Sequence, residues 1–404
     1  MNRALPDERR RLAEEFVTLC EVESPSCSER EVADYVAGEL RALGLEVAED
    51  ESGAATGSDA GNLLARVPGP EGSRVVLLCA HLDTVPLEAP VQVVERNGGF
   101  ENANPAILGA DNKAAVAVML AATRRLVRDG SPVGVELLFT TCEERALAGA
   151  KSFARDRLRS EWGFVFDHAT PIGELMLAAP TFFRIEARFL GHAAHAGIRP
   201  EEGRNAIAAA ARAIEALELG RLDDETTANV GRIEGGTATN VVAERCDVEL
   251  EARSLDHGRA TAVAHAMVDA ITEAAADAEC DVETLVEEQF RGYRTARSAP
   301  HVQAAAAALG ALGIAPSYVA SGGGSDANVF EAAGLPCLNV ANGTERNHEN
   351  GERVTREALE TTLDLALAII AASAWAADGG TRREEVDDEW RSSRSAVKRP
   401  GAGR

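Results

Sequence analysis

Apolar runs alternate along the first half of the chain with segments whose apolar positions recur at helical spacing. Four short apolar runs predict buried strands at residues 62–67, 74–79, 133–140 and 162–167. The intervening and preceding amphipathic segments predict helices at residues 5–19, 29–44, 112–128 and about 146–158. Strand and helix therefore alternate, which is typical of an α/β fold with a mainly parallel sheet.

The pattern changes after Pro180 and returns near residue 297. Between these points strands that alternate apolar and polar residues are combined with two helices, which predicts a small inserted α+β domain with an antiparallel sheet at residues 181–296. The remaining parts, residues 1–180 and 297–376, are predicted to form one discontinuous α/β domain. The tail at 377–404 is charged and rich in Gly, Ser and Arg, so we expect it to be disordered.

The charge of the chain limits its partners. The formal net charge is −24, which argues against a nucleic-acid partner and against binding to an anionic membrane surface. The N-terminal residues lack the apolar stretch of a signal peptide, and an apolar run of 13 residues near the end is too short to cross a bilayer. We therefore expect a soluble cytoplasmic protein.

The cysteines indicate no disulfide framework. Seven are present, an odd number at irregular spacing without a CxxC pair. Buried free thiols are the expected interpretation.

Five residues that can bind a metal ion lie just beyond predicted strands: His81, Asp111, Glu144, Asp167 and His348. Taken singly, each has an ordinary alternative, such as a polar strand end, a helix N-cap, a solvated first helical turn or an exposed loop histidine. Taken together, they are expected to meet, because the carboxyl ends of strands in an open α/β sheet line one crevice.

The ligand chemistry favours two divalent ions. Imidazole combined with carboxylate suits zinc, cobalt or manganese rather than calcium. Two divalent ions carry four positive charges against three carboxylates, and a bridging hydroxide would make the cluster neutral, as suits a two-metal hydrolase. Glu143, beside Glu144, could stay free as a general acid/base, and Asp83 could orient the His81 ring.

Seven segments carry a resemblance to a known family. They are HLDTVP (81–86), GADNKAA (109–115), CEERALAGA (142–150), FDHATPIG (166–173), GHAAHAG (191–197), GGTATNVV (235–242) and GTERNHENGERV (343–354). In order and spacing they resemble the co-catalytic zinc metallopeptidases that include peptidase T, carboxypeptidase G and acetylornithine deacetylase. HAGIRPEEGRNAI and GGGSDAN (322–328) resemble the peptidase T-like branch most.

The resemblance implies a role for each candidate. His81 and Asp167 would bind one zinc ion, Glu144 and His348 the other, and Asp111 would bridge them. Asp83 would orient His81. Glu143 would take a proton from the bridging water and deliver it to the leaving amine.

The resemblance also implies a ferredoxin-like inserted domain that acts as a lid and forms a homodimer. His195 would stabilise the oxyanion, often in the partner subunit's site, and Asn240 and Arg253 would hold the substrate backbone or carboxylate. His168 departs from the small residues expected after Asp167. The substrate therefore stays open between short peptides, cleaved by a tripeptide aminopeptidase, and N-acyl amino acids; a catalytically silent dimeric metal-binding protein is the third alternative.

Overall fold

The computed structural model describes residues 3–375, and the predicted disordered tail lies outside them. The helices within these residues are α1 Pro6–Glu21, α2 Arg30–Ala42, α3 Ser52–Thr56, α4 Ala110–Asp129, α5 Ala148–Ser152, α6 Ala206–Ala216, α7 His257–Asp277, α8 Pro300–Leu312, α9 Asp326–Ala332 and α10 Arg356–Ser373. The strands are β1 Val47–Glu49, β2 Leu63–Val67, β3 Val75–His81, β4 Val93–Arg96, β5 Gly99–Asn102, β6 Gly134–Thr140, β7 Trp162–His168, β8 Glu174–Ala179, β9 Thr181–Leu190, β10 Gly220–Arg221, β11 Thr226–Gly235, β12 Arg245–Ser254, β13 Asp281–Phe290, β14 Tyr293–Arg294, β15 Ser317–Ala320, β16 Cys337–Ala341, β17 Thr344–Glu345 and β18 Arg353–Thr355.

Within the described residues, the first of two compact units comprises residues 3–178, 294–321 and 325–375, and it is built on a mixed nine-stranded sheet. The strand order is β1-β2-β6-β3-β7-β16-β8-β14, with β15 paired to β8. The central strands β6, β3, β7 and β16 are parallel neighbours, whereas β2 on one side and β8 on the other pair antiparallel with them. The α/β class is thus confirmed, with antiparallel strands at the margins of a parallel centre.

Helix α4 is the central helix of this unit. It packs against α1, α10 and strands β3 and β7, and most of its residues are buried. Its N-cap, Gly109, has φ +75°, a left-handed conformation that glycine adopts without steric cost. The helix begins directly after this residue, and Asp111 therefore lies in its first turn.

The second unit comprises residues 179–293 and 322–324. Its antiparallel sheet has the order β10-β11-β12-β9-β13, and α6 and α7 cover one face. Because β9, β11, β12 and β13 alternate with α6 and α7 in a βαββαβ sequence, the unit has the expected ferredoxin-like arrangement. The apolar residues of β9 and β12 face the helices, and the opposite face carries Arg and Glu ion pairs such as Arg184 with Glu249.

Two details differ from the sequence prediction. The helix expected over about 146–158 is only α5, because Ala146 and Leu147 have positive φ and Phe153 is extended. Residues 322–324 pack with the second unit rather than the first, since Gly322 O accepts from Arg253 Nη1 and Gly324 lies against the Phe290 ring. Within residues 3–375 no helix is long and apolar enough to cross a membrane.

Candidate metal centre

The candidate ligands lie at one edge of the central sheet. His81 is the last residue of β3, Glu144 follows β6, and Asp167 is the penultimate residue of β7. These three strands are parallel neighbours, so their carboxyl ends share an edge. Asp111 at the start of α4 and His348 in the loop between β17 and β18 complete the set.

Asp111 connects two groups of ligand atoms. Its Oδ1 lies 3.4 Å from His81 Nε2, which is also 3.5 Å from Asp167 Oδ1. Its Oδ2 lies 3.3 Å from His348 Nε2, which is 2.7 Å from Glu144 Oε1. Each group brings its potential ligand atoms within 4.8 Å of one another, and Asp111 is the shared member. One carboxylate oxygen therefore faces each histidine, as two adjacent ion positions require.

The residues fit divalent cations in a second way. Asp111 Oδ1 is buried and has no hydrogen-bond donor in the described part of the chain. A buried carboxylate oxygen without a partner is costly, since burial removes its hydration. The donor set of two imidazoles and three carboxylates is the chemistry that zinc, cobalt or manganese binds. We conclude that the site fits metal ions of this class.

The carboxylates of the site raise the pKa of both histidines. Burial alone would lower the pKa of His81, but contacts with Asp111 and Asp167 raise it well above its ordinary value. Contacts with Asp111 and Glu144 raise the pKa of His348 to about 10. The surrounding carboxylates thus make both rings bind a proton more readily than a free imidazole does. Metal binding would displace these protons, since only neutral imidazole is a ligand.

Glu143 differs from its neighbour Glu144. It is 8% exposed, whereas Glu144 Oε1 lies 2.7 Å from His348 Nε2. Burial, together with the charge of Asp167, raises the pKa of Glu143 well above its ordinary value. Glu143 also lies within ligand distance of His81 and Glu144, so geometry by itself allows it to be either a ligand or a free acid/base.

Asp83 makes contacts that the sequence did not reveal. Its carboxylate accepts hydrogen bonds from Glu143 N at 2.9 Å, Glu144 N at 3.1 Å and Ser26 Oγ at 2.6 Å. His81 Nδ1 lies 2.9 Å from the Asp83 backbone oxygen and 3.4 Å from the carboxylate. Asp83 therefore links the end of β3, which carries His81, to the turn that carries Glu143 and Glu144.

Glu352 is a site residue that the sequence analysis missed. It is 1% exposed, and its Oε2 accepts from Leu108 N at 2.8 Å and Gly109 N at 2.7 Å. Its Oε1 accepts from Asp111 N at 2.8 Å. One buried carboxylate thus connects the loop of His348 to the turn of Asp111. An acid four residues after His348 was visible in the sequence, but its partners lie more than 240 residues away.

The residue after Asp167 is partly buried. The ring of His168 lies 3.3 Å from Glu174 Oε2, and burial lowers the pKa of His168. Asn339 fixes the Asp167 backbone on both sides, since it accepts from Asp167 N and donates to Asp167 O, each at 3.0 Å.

The remaining three predicted residues belong to the second unit. His195 is exposed, and it lies near Asn240 because Ala196 N donates to Asn240 O at 2.9 Å. Arg253 stacks on the Phe182 ring at 4.2 Å and pairs with Glu251. In the sheet Arg253 is opposite Phe182 and Arg245 is opposite Leu190, so Arg253 and the His195 loop lie at opposite ends of β9.

Comparisons with known proteins identify the family. Residues 181–279 match the peptidase dimerisation domain, and residues 62–179 match peptidase family M28. The structure of an aminopeptidase PepT from Bacillus cereus is 37% identical, with a TM-score of 0.82, over 91% of this chain and 99% of that one. A tripeptidase structure from Staphylococcus aureus is 31% identical, with a TM-score of 0.86 over the same shares of the two chains. The uncharacterized protein YqjE of Bacillus subtilis is 36% identical over 90% of this chain and 99% of its own length.

The chain therefore belongs to the co-catalytic metallopeptidase family that includes peptidase T. It is a metal-dependent hydrolase of the peptidase type. The family and the clustered ligand residues together imply divalent metal ions.

Proposed function

We propose that this protein is an aminopeptidase that acts on short peptides, of the tripeptidase kind, and that it uses two divalent ions, zinc above all. The single observation that carries the two-ion proposal is Asp111, whose two oxygens face two different histidines 3.4 and 3.3 Å away. The substrate class is supported by the PepT and tripeptidase structures, which are 37% and 31% identical over nearly their whole length.

The ligand assignment follows the two groups of side chains. His81 and Asp167 would hold one ion, Glu144 and His348 the other, and Asp111 would bridge them. Ions bound there would supply Lewis-acid polarisation of the scissile carbonyl and activation of a water molecule. Asp83 would fix His81 and the turn with both glutamates.

Glu143 would act as the proton shuttle. Its carboxylate is buried beside the ligand atoms of His81 and Glu144, which would place it next to a water molecule held by the ions. It would accept the proton of the attacking water and donate it to the leaving amine nitrogen. Asp83 supports this role by holding the Glu143 backbone N–H at 2.9 Å.

The second unit supports a homodimer. Arg253 is opposite Phe182, and the His195 loop begins after Leu190, eight strand positions further along β9, roughly 25 Å away. A short peptide cannot span that distance, so the two cannot touch one substrate from the same copy. We infer that His195 and Asn240 act on the oxyanion and backbone of a substrate bound by a second copy, and that Arg253 binds a substrate carboxylate.

A matched substrate panel tests the proposed specificity. We expect kcat/KM for a tripeptide with a free amino terminus to exceed that for the same tripeptide N-acetylated by on the order of 10²-fold or more, because a site that recognises a charged amine rejects its neutral amide. The measurement compares both peptides and the N-acetyl derivative of the first amino acid. A higher kcat/KM for the N-acetyl compounds would identify the protein as a deacylase instead, and no turnover of any substrate would favour the catalytically silent alternative.

Glu352→Gln should weaken metal binding although Glu352 is not a ligand. Its two carboxylate oxygens accept hydrogen bonds from three backbone N–H groups. The amide of glutamine would place an NH₂ group, which cannot accept, against at least one of these donors. The displaced turn carries Asp111. We expect the metal dissociation constant to rise by about 10–100-fold, the usual range for residues that orient ligands, as measured by calorimetry on metal-free protein.

Glu331→Gln is the matched control for this substitution. Burial raises the pKa of both Glu331 and Glu352 to about 7. Glu331 likewise accepts a hydrogen bond from a backbone N–H, that of Cys337. Cys337 is the first residue of β16, so this bond lies at the end of the strand that is away from the metal site. An equal weakening of metal binding in both variants would show a general loss of stability rather than a positioning role for Glu352.

A further inference from the structure

Two cysteines form a thiol pair directly beside the candidate centre. Cys142 precedes Glu143 and Glu144, and Cys27 lies in the loop after α1. Their Sγ atoms are 3.7 Å apart although 115 residues separate them in the chain. The S–S bond of a disulfide is about 2.0 Å long, so the two sulfur atoms would have to move toward each other by less than about 2 Å.

The surroundings give the two thiols different reactivity. Cys27 is half-buried, and Arg145 Nη1 lies 2.9 Å from its Sγ. The guanidinium thus donates to the sulfur that would attack an oxidant. Cys142 is fully buried, and its thiol donates to Glu29 Oε1 at 3.3 Å. Cys27, the more accessible of the two, is therefore placed to react with a small oxidant, and Cys142, whose sulfur is 3.7 Å away, is placed to resolve the product.

We propose that Cys27 and Cys142 form a peroxide-sensitive modification site whose disulfide inactivates the enzyme. The Cys27 thiolate attacks hydrogen peroxide, the O–O bond breaks, and a sulfenic acid forms on Cys27 with release of hydroxide. Cys142 then attacks the Cys27 sulfur, the S–O bond breaks, and the oxygen leaves as water. In sum, two thiols lose two electrons and two protons, and one peroxide is reduced to two molecules of water.

The disulfide would act on catalysis through the backbone. Cys142 N donates to Glu29 Oε1 and Cys142 O accepts from Ala148 N, so Cys142 is part of the turn that presents both glutamates. On the other side Ser26, next to Cys27, donates to the Asp83 carboxylate. Drawing the sulfurs together pulls on both loops at once. A misplacement of about 1 Å at a reacting group can cost about 10²-fold in rate.

The experiment uses full-length, metal-loaded protein treated with hydrogen peroxide without reductant. We expect peptides bearing Cys27 and Cys142 to become linked, with loss of two hydrogens by mass spectrometry. Turnover should fall at least tenfold and return on addition of dithiothreitol. The mass measurement is independent of turnover, so it decides the site even if the proposed peptidase activity were absent.

Three variants separate this site from general oxidation. Cys27→Ser should keep its basal turnover and resist peroxide, whereas Cys246→Ser, which alters a buried cysteine of the second unit, should remain sensitive. Arg145→Gln should form the disulfide at least several-fold more slowly, and it tests the proposal even if Cys27→Ser fails to fold. Absence of the linked peptides, or equal inactivation of the Cys27→Ser protein, would overturn the proposal.

Discussion

Glu143→Gln should reduce turnover by several orders of magnitude and leave the metal content unchanged. The amide keeps the size of the side chain but cannot accept a proton from water or deliver one to a leaving amine. Because general acid–base catalysis contributes about 10²–10⁴-fold, we expect kcat to fall by that factor. The free Glu143 carboxylate is not needed to hold an ion in our assignment, so the number of ions bound per chain should equal that of the unaltered protein. Elemental analysis measures the bound metal per chain, and steady-state kinetics measures kcat.

The adjacent residue provides the control for this substitution. Glu144 Oε1 lies 2.7 Å from His348 Nε2, in the ligand group with Asp111. Glu144→Gln should therefore lower both turnover and bound metal. Since Glu143 also lies within ligand distance of His81, the reverse pattern is geometrically possible. Loss of metal in Glu143→Gln and its retention in Glu144→Gln would exchange the two roles.

The positions of His81 and Asp167 could be predicted from sequence because of the kind of strand that carries them. Strands β3 and β7 are buried on both faces, so they appear in the sequence as continuous apolar runs. The first polar residue at the carboxyl end of such a run is then at the sheet edge, where neighbouring parallel strands also end. The same reasoning placed Glu144 beyond β6, and the structure brings these residues together.

The connections behind the ligands could not be predicted in this way. Glu352 contacts the Asp111 turn across 241 residues, and Cys27 contacts Cys142 across 115 residues. Neither contact produces a periodic pattern, because each depends on how two loops fold back to the same edge. Asp83 likewise appeared as a partner of His81 alone, whereas its carboxylate also holds the backbone of both glutamates.

Local propensity misled the prediction at one functional element. The Ala-rich segment after Glu144 favours helix, but Ala146 and Leu147 have φ of 56° and 64°, in the left-handed region. The turn is held by Leu147 N donating to Glu143 O at 2.7 Å and Ala148 N donating to Cys142 O at 3.0 Å. The Asp83 carboxylate also holds this turn by accepting from Glu143 N and Glu144 N, and such tertiary contacts often override helix propensity. The result is a tight turn that presents both glutamates.

Removal and return of metal ions should switch the enzyme off and on. The three ligand carboxylates and Glu143 lie close together at this site, and Asp111 Oδ1 has no hydrogen-bond donor among the described residues. Lewis-acid polarisation contributes several kcal/mol to such reactions, so its loss corresponds to a rate decrease on the order of 10³-fold. We expect the metal-free protein to retain the fold but not the activity.

The most direct test is a titration of chelator-treated, metal-free protein with zinc or cobalt, with turnover of a tripeptide that has a free amino terminus as the readout. Our account predicts negligible activity at the start and full activity only when two equivalents per chain have bound, with protons released as the histidines become ligands. Full activity at one equivalent would contradict the bridging role of Asp111. Undiminished activity of the metal-free protein would contradict the metal-dependent mechanism altogether.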